Sequence, residues 1–152
     1  MSGFDIKTVK MDARHEGLRT DPPREKGGKP WEHNLYTVTL TNTADARRKP
    51  FVTEYRMGIG CKGAPKLAEV LQCLQSDASD IHAGYTFEEW ADSLEYNSDS
   101  IKDRDVYLAC QKTYSALKML FGIEGFAAFM DFDFDEMRPR SVEAECAAEV
   151  AK

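Results

Sequence analysis

Residues 54–80 read EYRMGIGCKGAPKLAEVLQCLQSDASD, and the pattern of the chain changes within them. Upstream, apolar residues alternate, as they do in strands whose successive side chains point to opposite faces. Downstream they recur at Leu67, Val70, Leu71 and Leu74, the stripe of a helix packed on one side. Gly58, Gly60, Gly63 and Pro65 separate the two regimes, and Pro65 suits the first turn of a helix. Strands first and helices afterwards predict an α+β fold.

The same stretch spells G-x-G-x-x-G, with Lys62 and Lys66 beside it. In a dinucleotide-binding unit that motif joins a parallel strand to a helix, and its glycines let the backbone approach a pyrophosphate. Here the preceding strand reads as half of an antiparallel hairpin. No second strand follows to complete a β-α-β unit. The downstream acids Asp77 and Asp80 fall at a helix end, not a strand end. The glycines therefore read as a turn that re-aims the chain.

Working toward the N-terminus, Phe51–Met57 and residues 34–41, NLYTVTLT, alternate cleanly and form a hairpin across Asn42–Pro50. Tyr36, Val38 and Leu40 share one face, and threonines occupy the other. Residues 4–11, FDIKTVKM, read as a first strand. A phase break between Phe4/Ile6 and Val9/Met11 signals a bulge or bend. Residues 12–33 carry Pro22-Pro23 and Gly27-Gly28 among mixed charges and read as a solvated loop. Its Arg14, Arg19, Arg24, Lys26 and Lys29 are candidate phosphate contacts.

Toward the C-terminus, the first helix is expected over Pro65–Gln75, with 76–83 a polar link. Thr86 and Glu89 match a capping box ahead of the stripe Phe87, Trp90, Ala91, Leu94. Trp90 on that stripe reads as a core anchor. Ser100 and Asp103 offer a second cap before a helix over Ile101–Phe121, which Gly122 stops. A short helix follows near Glu124–Met130. Phe132–Met137, FDFDEM, reads as a short strand or an interaction segment, ended by Pro139. The expectation is a three-stranded antiparallel sheet followed by three to four helices. They form a single α+β domain over 1–137, with a flexible tail over 138–152.

A chain of 152 residues can bury a core without staples. No apolar run is long enough to span a bilayer, and MSGFDIKTVK lacks the apolar segment of a signal peptide, so the expected location is cytoplasmic. Cys61, Cys73, Cys110 and Cys146 are widely spaced without a C-x-x-C pair, which predicts reduced, mostly buried thiols and no zinc site. The net charge of −6 conceals a polarity: residues 1–64 carry net +4, and residues 65–137 carry net −10. An acidic body repels phosphates and attracts basic protein surfaces, including those that ordinarily hold nucleic acid.

Catalytic chemistry is not legible. His15, His33 and His82 stand near no serine or cysteine in a nucleophile pattern and read as surface residues. Asp77, Asp80, Asp99 and Asp103 lack calcium-loop spacing. No nucleic-acid motif appears. The expectation is a non-enzyme without metal or cofactor.

At residues 57–122 the chain resembles a widespread group of small phage and prophage proteins. The shared text is MGIG at 57–60, EVLQCLQSDASD at 69–80, TFEEWADSLEYNSDS at 86–100 and YLACQKTYSALKMLFG at 107–122. The span 57–122 is about two-fifths of the chain; the hairpin fits in pattern only, and 20–30 and the tail have no counterpart. Cys61 stands where similar proteins often show His. The resemblance implies an accessory protein that binds host machinery, such as an anti-CRISPR or other anti-defence inhibitor, in the host cytoplasm. It supplies no catalytic residues. Together with the charge, it implies a host partner with a basic, nucleic-acid-binding surface. The partner-binding residues would be Asp77, Asp80, Glu88, Glu89, Asp92, Asp99 and Asp103, with direct nucleic-acid binding weak or absent. The alternative is a replication accessory factor that contacts nucleic acid through the basic N-terminal loops.

Overall fold

The computed structural model describes residues 3–23, 26–93 and 101–141. Three antiparallel strands, β1 (Val9–Asp21), β2 (Trp31–Asn42) and β3 (Phe51–Gly58), lie side by side in chain order. Opposed residues share a face, so the pairings Met11↔Leu40↔Phe51 and Ala13↔Val38↔Thr53 define the inner side. Val38 and Leu40 are fully buried there, and Thr37 and Thr39 lie on the outer side as the alternation requires.

The first strand departs from its expected bounds. Residues 6–8 form one 3-10 turn, which Asp5 opens by accepting a hydrogen bond from the Lys7 amide at 3.0 Å. That turn is the bend signalled by the phase break, and it returns Phe4, Ile6, Val9 and Met11 to one core. Most of the expected loop over 12–33 is strand. β1 runs to Asp21, β2 starts at Trp31, and Asp21 pairs with Trp31. A bulge between His15 and Gly17 shifts the alternation by one residue, which hides the strand from a period-2 reading. Arg14 and Arg19 are therefore strand residues; Arg24 lies outside the described residues.

Helix α1 (Leu67–His82) is a turn and a half longer than expected. Its serines and aspartates at 76–80 occupy the solvent side while Ala78 continues the buried stripe of Val70, Leu71 and Leu74. The supposed polar link is the outer face of the same helix. Helix α2 (Phe87–Ser93) opens with the expected box: the Thr86 amide donates to Glu89 at 3.2 Å, and the Glu89 amide donates to the Thr86 hydroxyl at 3.3 Å. Trp90 is buried between Phe87 and Tyr107. Leu94 and the Ser100 cap lie outside the described residues.

Helix α3 (Ile101–Met130) is interrupted at Gly122, whose φ of 77° and ψ of 172° are non-helical. The described residues thus form three α-helices, the third in two segments. The two-residue strands β4 (Phe132–Asp133) and β5 (Arg138–Pro139) form a second, small sheet. Pro139 belongs to β5, and beyond it the Ser141 hydroxyl donates to Asp131 at 2.6 Å, so the chain is tied down past the expected tail boundary at 138. The core joins Val38, Leu40 and Phe51 of the sheet to Val70, Leu71 and Leu74 of α1 and Leu117, Leu120 and Phe129 of α3. At roughly 1.5–3 kcal/mol per fully buried aliphatic side chain, this cluster is the main source of stability. No helix among the described residues is long and apolar enough to cross a membrane.

Candidate interaction surface

The acids singled out by the sequence lie mostly on α1 and α2. Asp77 is exposed and Asp80 partly so, both on the last turns of α1. Glu88, Glu89 and Asp92 are exposed on α2, because Phe87, Trp90 and Ala91 point inward and fix the opposite side outward. Asp99 lies outside the described residues, and Asp103 is placed by its backbone alone, in the first turn of α3.

Helix α3 brings the two groups to one region. Its Tyr107 donates to the Tyr85 carbonyl at 3.0 Å and packs on Phe87 and Trp90, which docks α2. One turn along the same face, Cys110 lies within the field of Asp77 and Asp80. Burial, reinforced by those two carboxylates, pushes the Cys110 thiol up to about 11. Asp77 is also shifted: desolvation against the neighbouring helices raises its carboxyl above the usual range although its edge reaches solvent. Among the described residues, none of Asp77, Asp80, Glu88, Glu89 and Asp92 pairs with a lysine or arginine. Glu89 alone has a second task, in the cap of α2.

The basic N-terminal third is arranged differently. Arg14 lies 2.7 Å from Glu16, and Arg47 and Arg48 both reach Asp45, at 3.1 and 3.5 Å. Arg56 lies 3.1 Å from Glu54 and 3.9 Å from Asp21. Hydrogen bonds from Arg47 hold the Asp45 carboxyl below its ordinary range, and those from Thr37 and Arg14 do the same for Glu16. These guanidinium groups are already occupied by carboxylates.

The glycine turn is a connector. It follows an antiparallel strand, and a Cβ added at Gly58, Gly60 or Gly63 would meet nothing within 4 Å. Only Gly63, at φ 81°, needs its glycine for backbone reasons. The first turn of α1 carries Glu69, which opposes an anion there.

Three expectations about single side chains are corrected. His33 is not a surface residue: it is 1% exposed beneath Trp31, whose ring centroid is 4.3 Å away. Its Nδ1 has no hydrogen-bond partner among the described residues, and Asp21 stands 3.9 Å off. Cys61 and Cys73 are exposed free thiols, not buried ones. The Cys73 sulfur lies 3.8 Å from the Tyr55 hydroxyl, whose pKa rises to about 12 through burial first and this contact second. Among the described residues, no group of three or more His, Cys, Asp or Glu side chains is placed to hold a metal ion.

Sequence reasoning missed one further feature. A cleft of about 670 Å³ opens between α1 and the β4–β5 hairpin, lined by Gln72, Gln75, Ser76, Ser79, His82 and Arg140 among others. Its anchor is Gln75, 5% exposed, whose amide donates to the carbonyls of Phe129 at 2.8 Å and Phe132 at 2.7 Å. A lone glutamine on an apolar stripe was the available signal, since a buried amide must find partners. Neither a family model, nor a curated protein, nor a solved structure matches this chain.

Proposed function

We propose that this protein acts by binding a partner through the acidic surface of α1 and α2, and that the partner presents a basic face of the kind that holds nucleic acid. The observation that carries this reading is the unequal pairing of charge. Arg14, Arg47, Arg48 and Arg56 rest on carboxylates, whereas among the described residues Asp77, Asp80, Glu88, Glu89 and Asp92 form no ion pair with a lysine or arginine. Unpaired like charges on rigid helices repel one another, and a basic partner removes that cost. The resemblance to phage accessory proteins makes a host defence complex such as CRISPR-Cas the proposed target class, with inhibition by competition against its nucleic acid. A nucleic-acid-associated role has less support at Arg14, Arg47, Arg48 and Arg56, where phosphate would have to displace internal carboxylates.

The test is side-by-side affinity capture from host lysate with the parent and an Glu88→Lys, Asp92→Lys variant. Glu89 is left intact because it caps α2. The variant should lose the captured basic proteins, and association of the purified partner should slow by about tenfold or more at low salt. Added nucleic acid should compete with the parent. Equal capture by parent and variant, insensitive to salt and to nucleic acid, would overturn the proposal.

A further inference from the structure

We propose that the cleft between α1 and the β4–β5 hairpin is a binding site for a small organic monoanion, whose carboxylate is received by Arg140. The guanidinium is held at the cleft by Gln75, whose Oε1 accepts from Arg140 Nη2 at 3.4 Å. Gln75 cannot turn away: both carbonyls that fix its amide belong to the backbone leading into β4, and the residue is buried. The exposed Arg140 thus has a fixed acceptor at the cleft wall in the buried Gln75.

Among the described residues, Gln75 is the hydrogen-bond partner of the Arg140 guanidinium. Among the described residues no carboxylate lies within ion-pair distance of Arg140. The nearby Asp131 and Asp133 carry hydrogen bonds of their own, and Asp133 also lies in the field of Arg140. Asp131 accepts from the Ser141 amide and hydroxyl, and Asp133 accepts from the amides of Asp135 and Glu136 at 2.9 and 3.2 Å. A planar guanidinium matches a carboxylate with two parallel hydrogen bonds.

The remaining lining fits the body of a small molecule. Ser79 Oγ donates to the Ser76 carbonyl at 2.7 Å, which leaves its oxygen free to accept. The ring of His82 is held edge-on to Phe126 at 5.5 Å. Met130 supplies an apolar patch of wall. The cleft of about 670 Å³ is open to solvent on one side and has room for a small acid lying against its wall. One cation beside the acids of the hairpin favours a single negative charge over a phosphate dianion. The carboxylate can belong to a free small acid or to a peptide C-terminus.

The experiment is a titration of the labelled full chain followed by NMR, with benzoate, an N-acetylated tripeptide bearing a free C-terminal carboxylate, and inorganic phosphate as probes. Saturable shifts at the Gln75 side-chain amide, Ser76, Ser79 and Arg140 are expected with a carboxylate probe. The tighter of the two carboxylates identifies the source. In Arg140→Gln the affinity should fall by about tenfold, the loss of one charge-assisted interaction. Should Arg140→Gln fail to give a folded spectrum, Ser79→Phe, which fills the cleft from the exposed side of α1, must abolish the shifts. Absence of saturation with either carboxylate, equal affinity in the variants, or phosphate binding as tightly as the carboxylates would overturn the proposal.

Discussion

Gly122 adopts φ 77° and ψ 172°, a conformation essentially confined to glycine. A Cβ there would also stand 3.0 Å from the Arg48 guanidinium. That end of a long side chain can shift, so the backbone decides the cost. Gly122→Ala should destabilise the protein by about 1–3 kcal/mol in chemical denaturation. Cys110 makes a second prediction at this scale. A folded pKa raised to about 11 favours the protonated thiol, so its contribution to stability is complete below the ordinary value of 9.0 and is lost as pH rises toward 11. Iodoacetamide at mildly alkaline pH should therefore label Cys61 and Cys73 well before Cys110, read by peptide mass spectrometry. An Asp77→Asn, Asp80→Asn variant should speed Cys110 labelling, since two negative neighbours are removed. An unchanged rate would show that the acids exert no field at that position. Gly122 was legible as a stop because glycine there has one common meaning. The burial of His33 was not, because it depends on Trp31 folding over it across two strand positions.

Among the elements, α2 rests most heavily on local chemistry. It has only seven residues, too few to persist by propensity alone, and it depends on its capping box and on Trp90. Thr86→Ala should cost about 1 kcal/mol. The loss should appear as faster amide hydrogen exchange across 87–93, with little change at the core of α1. Uniform acceleration over the whole chain would mean that α2 does not open separately. The box was readable because its two partners are three residues apart. The β1–β2 hairpin was not, although its residues are equally ordinary. The bulge at His15–Gly17 moves side chains to the other face halfway along, and a pattern that restarts reads as a loop. The C-terminal half of α1 was missed for a related reason. Its buried positions beyond Leu74 are Gln75 and Ala78, neither of which registers as hydrophobic, while the serines and aspartates beside them do register as polar.

In the whole molecule, the N-terminal segment and the end of α3 close on each other through one aromatic cluster. Phe4 makes edge-on contacts with Phe121, Phe129, Phe132 and Phe134 at centroid distances of 5.1–5.9 Å. Phe129 stacks on Phe121 at 4.9 Å and is fully buried. The alternation of FDFD was visible, but its place at this junction is a long-range fact that no local pattern carries. Asn42 adds a polar tie by donating to the Leu120 carbonyl at 3.1 Å, one of the acceptors freed where the helix breaks. The cluster thus connects the sheet, the broken helix and the small hairpin, and the Phe129 carbonyl also anchors Gln75. Phe129→Ala should cost about 3–5 kcal/mol, the range for a buried aromatic truncated to alanine. Because sheet and helices share this core, the loss should move near-ultraviolet and far-ultraviolet circular dichroism transitions together. Two separated transitions in the variant would show that sheet and helices unfold as independent units, and the shared core described here would then not be what holds them to one another.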